Sequence, residues 1–255
     1  MQNYCKTIGA LAAASALVAG NASAEVEYTL GTGYTSEYIF RGENLGQDLV
    51  EASASASTEW NGIGLSAGAW YGSYDQATGG VDLFDGAGDP VGTVDEYDVD
   101  ELDLFVEASK DLGFVTAAVG YIYYMNEDAF SFIEDTQEVY VKFSRDLGFA
   151  NAYAAYYWEL EGDYNYDDYS EIGLSRGFEL NQCLTCNLST NIGYMWAPDQ
   201  DTSWTTKASL DWAFAESAKL SPFVALAVQL TDDDDNYTGG HGNELVGGCM
   251  LSTSF

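Results

Sequence analysis

The chain has 255 residues, and its 41 Asp+Glu against 8 Lys+Arg give a formal charge of −33 and a pI near 4.1. Such an acid excess repels phosphates and excludes sequence-independent nucleic-acid binding. Aromatics at 15%, including 19 Tyr, exclude a disordered chain, and 27 Gly beside only 3 Pro point to an acidic all-β protein.

Residues 1–24 carry Lys6, a short apolar run over 8–18, then Ala22, Ser23 and Ala24. A basic start, an apolar core and a small-residue cleavage site predict a secretory signal, removed together with Cys5. The run is too short for a bilayer-spanning helix. The predicted organisation is therefore a signal at 1–24 and one domain at 25–255.

From Val26 onward the sequence alternates with period two, the pattern of half-exposed strands. Val26, Tyr28, Leu30 and Tyr34 oppose Glu27, Thr29, Gly31 and Gly33. Ala52, Ala54 and Ala56 oppose Glu51, Ser53 and Ser55, and Asn61-Gly62 after Trp60 is a strong hairpin signal. Leu65 to Tyr71 and Leu102 to Ala108 supply the third and fourth segments. Val115, Val119 and Tyr123 give the fifth, after Lys110-Asp111-Leu112-Gly113. Val139, Val141 and Phe143 lead into Arg145-Asp146-Leu147-Gly148, a near copy of that turn. Ala150 to Trp158, Ile172 with Leu174, Leu188 to Trp196, Trp204 to Trp212, Val224 to Leu230, and Leu245 to Phe255 complete twelve segments.

Short connections fall at 61–62, 110–113, 145–148, near 178–186 and near 213–219. Long polar ones fall at 41–48, 75–98, 126–136, 161–168, 197–203 and 231–243. An even strand count with alternating short turns and long loops is the plan of a bacterial outer-membrane barrel. The expected fold is all-β: a single antiparallel up-and-down transmembrane β-barrel of about 12 strands. A soluble sandwich also alternates. It does not account for the short/long rhythm, for an apolar face bare of Lys and Arg, or for a terminal Phe255. Tyr34, Trp60, Tyr71, Tyr121, Tyr123, Trp158, Tyr194, Trp196, Trp204 and Trp212 sit near segment ends, where an aromatic girdle belongs.

The stretch TGYTSEYIFRGENLGQ (32–47), the Trp-Asn-Gly hairpin and GLSAGAWYGS (64–73) resemble the opening of the TorF-type porin family. The segments at 101–124 and 138–159 are similar to that family's central hairpins, so the resemblance covers most of 25–255. Ser36 to Gly42, with its Phe-Arg-Gly, is the most specific part. The resemblance implies an outer-membrane barrel and a channel of undefined solute, and carries over no catalytic residues. The chain departs from the common pattern in its acidity and its long acidic second loop.

Read by phase, the inward residues include Glu37, Arg41, Glu51, Glu101, Asp103, Glu107, Glu138, Lys142, Glu159, Glu171, Lys207 and Asp211, with Glu27, Glu59 and Glu244 beside them. Twelve acids against three cations would make a negative lumen, which lowers the energy of a permeating cation. Two readings stay open: a cation-preferring pore, or a narrow lumen closed by paired side chains or loops.

Loop acids Asp82, Asp85, Asp89, Asp95, Glu96, Asp98 and Asp232 to Asp235 have oxygen ligands suited to Ca²⁺ but no EF-hand spacing, and read as solvated surface. His241, flanked by glycines, lacks the partners of a catalytic base. Cys183 and Cys186, in an oxidising periplasm, predict a small disulfide staple in the fourth short turn. Cys249 shares the outward phase. The expected function is a channel for small solutes or ions, with outer-membrane lipid and small cations as partners and no cofactor. A closed structural or surface-interaction barrel is the alternative class, and a barrel hydrolase a more distant third.

Overall fold

A computed structural model describes residues 25–84, 90–128, 135–161, 168–196, 202–230 and 243–255. The signal at 1–24, Asp85, Asp89, the Asp232 to Asp235 run and His241 lie outside the described residues.

Twelve strands form one closed antiparallel sheet. They are β1 (Glu27–Phe40), β2 (Glu43–Trp60), β3 (Ile63–Phe84), β4 (Pro90–Asp111), β5 (Thr116–Asp128), β6 (Thr136–Asp146), β7 (Asn151–Glu161), β8 (Tyr169–Asn181), β9 (Leu184–Met195), β10 (Thr202–Ala213), β11 (Ala218–Gln229) and β12 (Glu244–Ser254). Each strand pairs with its sequence neighbours, and β1 closes on β12 from Thr29↔Ser254 to Thr35↔Gly248. Tyr28 and Phe255 exchange backbone hydrogen bonds at 2.9 and 3.0 Å, so closure reaches the last residue. Closing the sheet leaves no unpaired edge within the twelve-stranded wall.

The outward face is a band of Leu, Ile, Val and aromatic side chains, from Leu30 through Val119 and Ile172 to Leu251. At the short-turn end Trp60, Phe114, Phe149, Trp212, Phe214 and Phe255 stand exposed. At the opposite end the girdle is tyrosine-rich, and its hydroxyls are taken up by neighbouring strands. Tyr71 donates to Asp100 at 2.9 Å, Tyr123 to Asp135 at 2.8 Å and Tyr156 to Asp168 at 2.8 Å, and Tyr34 donates to Asp48. Part of the acid excess therefore anchors the polar tips of amphipathic rings.

Three connections differ from the sequence reading. The stretch expected as a long loop over 41–48 is a two-residue turn at Arg41 and Gly42, after which β2 begins at once. The acidic segment 75–98 is mostly strand: β3 and β4 run 22 residues each and pair from Asp75↔Asp98 to Phe84↔Pro90. The fourth short turn narrows to Gln182 and Cys183.

Candidate functional site: a hairpin tip across the lumen

The β1–β2 hairpin does not stay in the barrel wall. Its register slips between Tyr38 and Ile39, where Tyr38 pairs with Gly46 but Ile39 with Asn44, leaving one extra residue on β2. A bulge of this kind bends a hairpin and re-aims its side chains. Around it, Glu37, Tyr38, Phe40 and Arg41 all line the central cavity. Tyr38 and Leu45 then pack with Trp70 on Leu49, Tyr74 and Val99, an apolar cluster inside the barrel on the β2–β4 wall.

Arg41 and Gly42 both have positive φ, 54° and 93°, as in the Asn61-Gly62 turn at 53° and 74°. Two positive φ values make a type I′ hairpin turn, whose first position favours Asn, Asp or Gly. Arginine there is strained by about 1 kcal/mol. The strain is offset by where its side chain goes. Nη1 and Nη2 each donate to a Glu138 carboxylate oxygen at 2.6 Å, a bidentate pair. Glu138 lies on β6, five strands from β1 one way round the barrel and seven the other. The turn thus reaches almost directly across the lumen.

The receiving wall is built for a cation. The Arg41 guanidinium lies 4.9 Å from the Tyr157 ring centroid on β7, 4.5 Å from Tyr169 on β8 and 4.7 Å from its neighbour Phe40. Tyr124 on β5 donates to Glu138 Oε2 at 2.9 Å and meets Phe40 edge-on. On β10, Ser203 Oγ donates to the Arg41 carbonyl at 3.0 Å. The paired side chains are 10% and 5% exposed, so the charges are largely desolvated. Two glycines make room. A Cβ on Gly193 would stand 2.0 Å from the Tyr169 hydroxyl, and one on Gly42 would stand 2.1 Å from Ser203 Cβ.

Around this plug lies a cavity of about 660 Å³, whose charged lining is Glu37, Arg41, Glu51, Asp103, Glu171 and Lys207. A second, of about 220 Å³, shares Phe40, Asp103, Tyr124 and Tyr157 and adds Glu107 and Lys142. Glu25, Glu27, Glu59 and Glu107 line a third, of about 430 Å³, toward the short-turn end.

Most of these carboxylates have donors. Asn44 donates to Glu37 at 2.9 Å, Trp70 to Glu51 at 2.8 Å, Tyr140 to Glu107 at 2.7 Å and Asn191 to Glu171 at 3.1 Å. Glu101 Oε2 and Asp103 Oδ1 are buried without a hydrogen-bond partner. Lys142 and Lys207 lie over Tyr153 and Phe223, at 5.2 and 3.7 Å from the ring centroids. Asp211 stands apart, paired with Lys219 at 2.9 Å. Glu159 holds the inward phase beside Glu138 but is not in the lining of the central cavity.

Among the described residues the lumen thus gathers Glu37, Glu51, Glu101, Asp103, Glu107, Glu138 and Glu171 around Arg41, Lys142 and Lys207, four carboxylates in excess. The expected Cys183–Cys186 staple is not formed, and both thiols are free. Cys183 sits in the turn, its N–H bonded to Asn181 Oδ1 at 2.9 Å, while Cys186 is fixed in the ladder between Phe178 and Leu210. The phase reading passed over the aromatic partners of Arg41. Tyr157 shares the inward phase of Glu159 and Tyr169 that of Glu171, and Gly193 on β9 leaves room for the Tyr169 ring.

No protein-family model matches the chain, and no curated protein matches it. Among solved structures, the NanC porin aligns with 14% identity over 89% of this chain and 98% of its own, at a TM-score of 0.50. The COG4313 outer membrane channel from Pseudomonas putida F1 aligns with 9% identity over 92% and 97%, at a TM-score of 0.54. At these identities the likeness is one of fold: the chain has the barrel architecture of outer-membrane channel proteins.

Proposed function

We propose that this chain is an outer-membrane, porin-like channel for small solutes that favours cations. The observation that carries the reading is the excess of carboxylates inside a closed sheet whose outer face is apolar. Carboxylates along a lumen attract cations and raise the energy of anions. The apolar band between aromatic girdles supports residence in a bilayer, with lipid as partner outside and small cations within. The signal at 1–24 agrees with export, and the Ser36 to Gly42 strand agrees with the resemblance to TorF-type porins.

The test is conductance of the purified barrel in planar bilayers under a KCl gradient. The expected reversal potential lies on the cation side and moves toward zero in Glu37→Gln/Glu51→Gln. Anion selectivity would sink the proposal. The Arg41 plug favours a second reading, a barrel that does not conduct. Silence of both the wild-type barrel and Arg41→Ala would establish that second reading instead.

A further inference from the structure

We infer that the Glu138–Tyr124–Tyr157–Tyr169 pocket is a binding site for small guanidinium compounds, and that Arg41 occupies it as a tethered internal ligand. The inference rests on the channel reading only for its second half, that such a cation displaces the plug.

Four observations converge on the pocket. Glu138 presents both oxygens at 2.6 Å to a planar fork, the geometry that distinguishes a guanidinium receptor from a point-charge site. The two tyrosine faces at 4.5 and 4.9 Å supply the quadrupole attraction used to recognise organic cations. Tyr124 holds the carboxylate in place by donating, at 2.9 Å, to Glu138 Oε2, the oxygen that Nη2 also binds. Finally, the guanidinium reaches the pocket from a strained turn on the opposite wall rather than from the strands that form the pocket.

The pocket also opens onto space a solute can use. Arg41, Tyr157 and Tyr169 all line the 660 Å³ cavity, where Glu51 and Glu171 concentrate cations nearby. An entering guanidinium can exchange for Arg41 pairwise, because the pocket's charge is the same before and after. Released from Glu138, Arg41 would carry the Phe40–Gly42 turn with it. The β1–β2 bulge is where that hairpin bends away from the wall.

The experiment uses the purified full barrel and methylguanidinium chloride, with NaCl at equal concentration as the ionic-strength control. Calorimetric titration of Arg41→Ala is expected to show saturable methylguanidinium binding, weakened about ten-fold or more in Arg41→Ala/Glu138→Gln, which lacks the anionic fork. Wild-type conductance is expected to rise saturably with methylguanidinium and not with NaCl, an arm that requires no variant to fold. Equal binding by the single and double variants overturns the site. Wild-type conductance indifferent to methylguanidinium, with Arg41→Ala open, overturns the displacement. If Arg41→Ala binds methylguanidinium yet conducts nothing, the site stands and the channel reading falls.

Discussion

Removing the two halves of the Arg41–Glu138 pair, singly and together, tests whether the plug is an electrostatically coupled unit. Arg41→Ala leaves Glu138, 4% exposed, with the Tyr124 hydroxyl as its remaining donor. Orphaning one member of a buried pair costs about 3–5 kcal/mol. The adjoining 660 Å³ cavity can admit water to the abandoned carboxylate, which puts the cost near the low end, about 3 kcal/mol. Glu138→Ala strands the guanidinium but leaves its three rings, each retaining about 0.5–1 kcal/mol, so about 2–3 kcal/mol is lost.

The double variant removes both charges and leaves neither orphaned. Its expected cost is about 3 kcal/mol, most of it the lost ring and stem packing of Arg41, rather than the sum of the single effects, a coupling of about 2–3 kcal/mol. The assay is reversible urea unfolding of the reconstituted barrel, followed by tryptophan fluorescence and checked by the gel mobility of the folded form. Costs that add to within about 0.5 kcal/mol would refute the buried pair.

Three further outcomes follow from the geometry. Gly193→Val drives the Tyr169 ring off Arg41 and should cost about 1–3 kcal/mol in the same unfolding assay, with conductance shifted in the direction of Arg41→Ala. An unchanged conductance would separate Tyr169 from the plug. Glu101→Gln replaces a buried carboxylate by an amide whose N–H can reach the partnerless Asp103 Oδ1 and should stabilise by about 1 kcal/mol; a loss of that size would show the carboxylate to be held by something else. Val119→Arg, on the outward face, should destabilise the barrel in vesicles by about 2–4 kcal/mol, and neutrality there would remove Val119 from lipid.

The strand plan was legible because period two is set by the pleat, and one buried-versus-lipid face repeats over twelve segments. Val119 and Ile172 fall outward, and Glu51 and Glu171 inward, as alternation alone assigns them. The reading lost its footing where register, not period, decides. Tyr38 belongs to the outward phase of Tyr28 to Tyr34, yet it lines the central cavity beside the register slip at Tyr38 and Ile39. Arg41-Gly42 lacks the Asn or Asp that marks a type I′ turn, so the segment read as loop. The C-x-x-C spacing suggested a staple, but the ladder fixes Cys186 on the strand while Cys183 remains in the turn. At Arg41 a contact across the lumen overrides the local turn preference.

The chemistry of the plug bears on whether closure is reversible. An apolar wedge filling the same space would gain burial energy from every side chain and leave water no route back. The β2–β4 side of the hairpin is such a wedge, with Tyr38 and Leu45 on Leu49, Tyr74 and Val99. The far side is different. There the tip is held by two tyrosine faces, the Ser203 hydrogen bond and a desolvated ion pair whose Coulombic gain is largely offset by the hydration both charges give up. Such a contact is specific in geometry yet small in net free energy, and it exchanges readily for an equivalent cation or for water. Anchoring the base of the hairpin by burial and its tip by charge makes the tip the part that can release while the base stays seated. That asymmetry is what a displaceable plug requires, and it accounts for an arginine at a turn position that favours asparagine or aspartate.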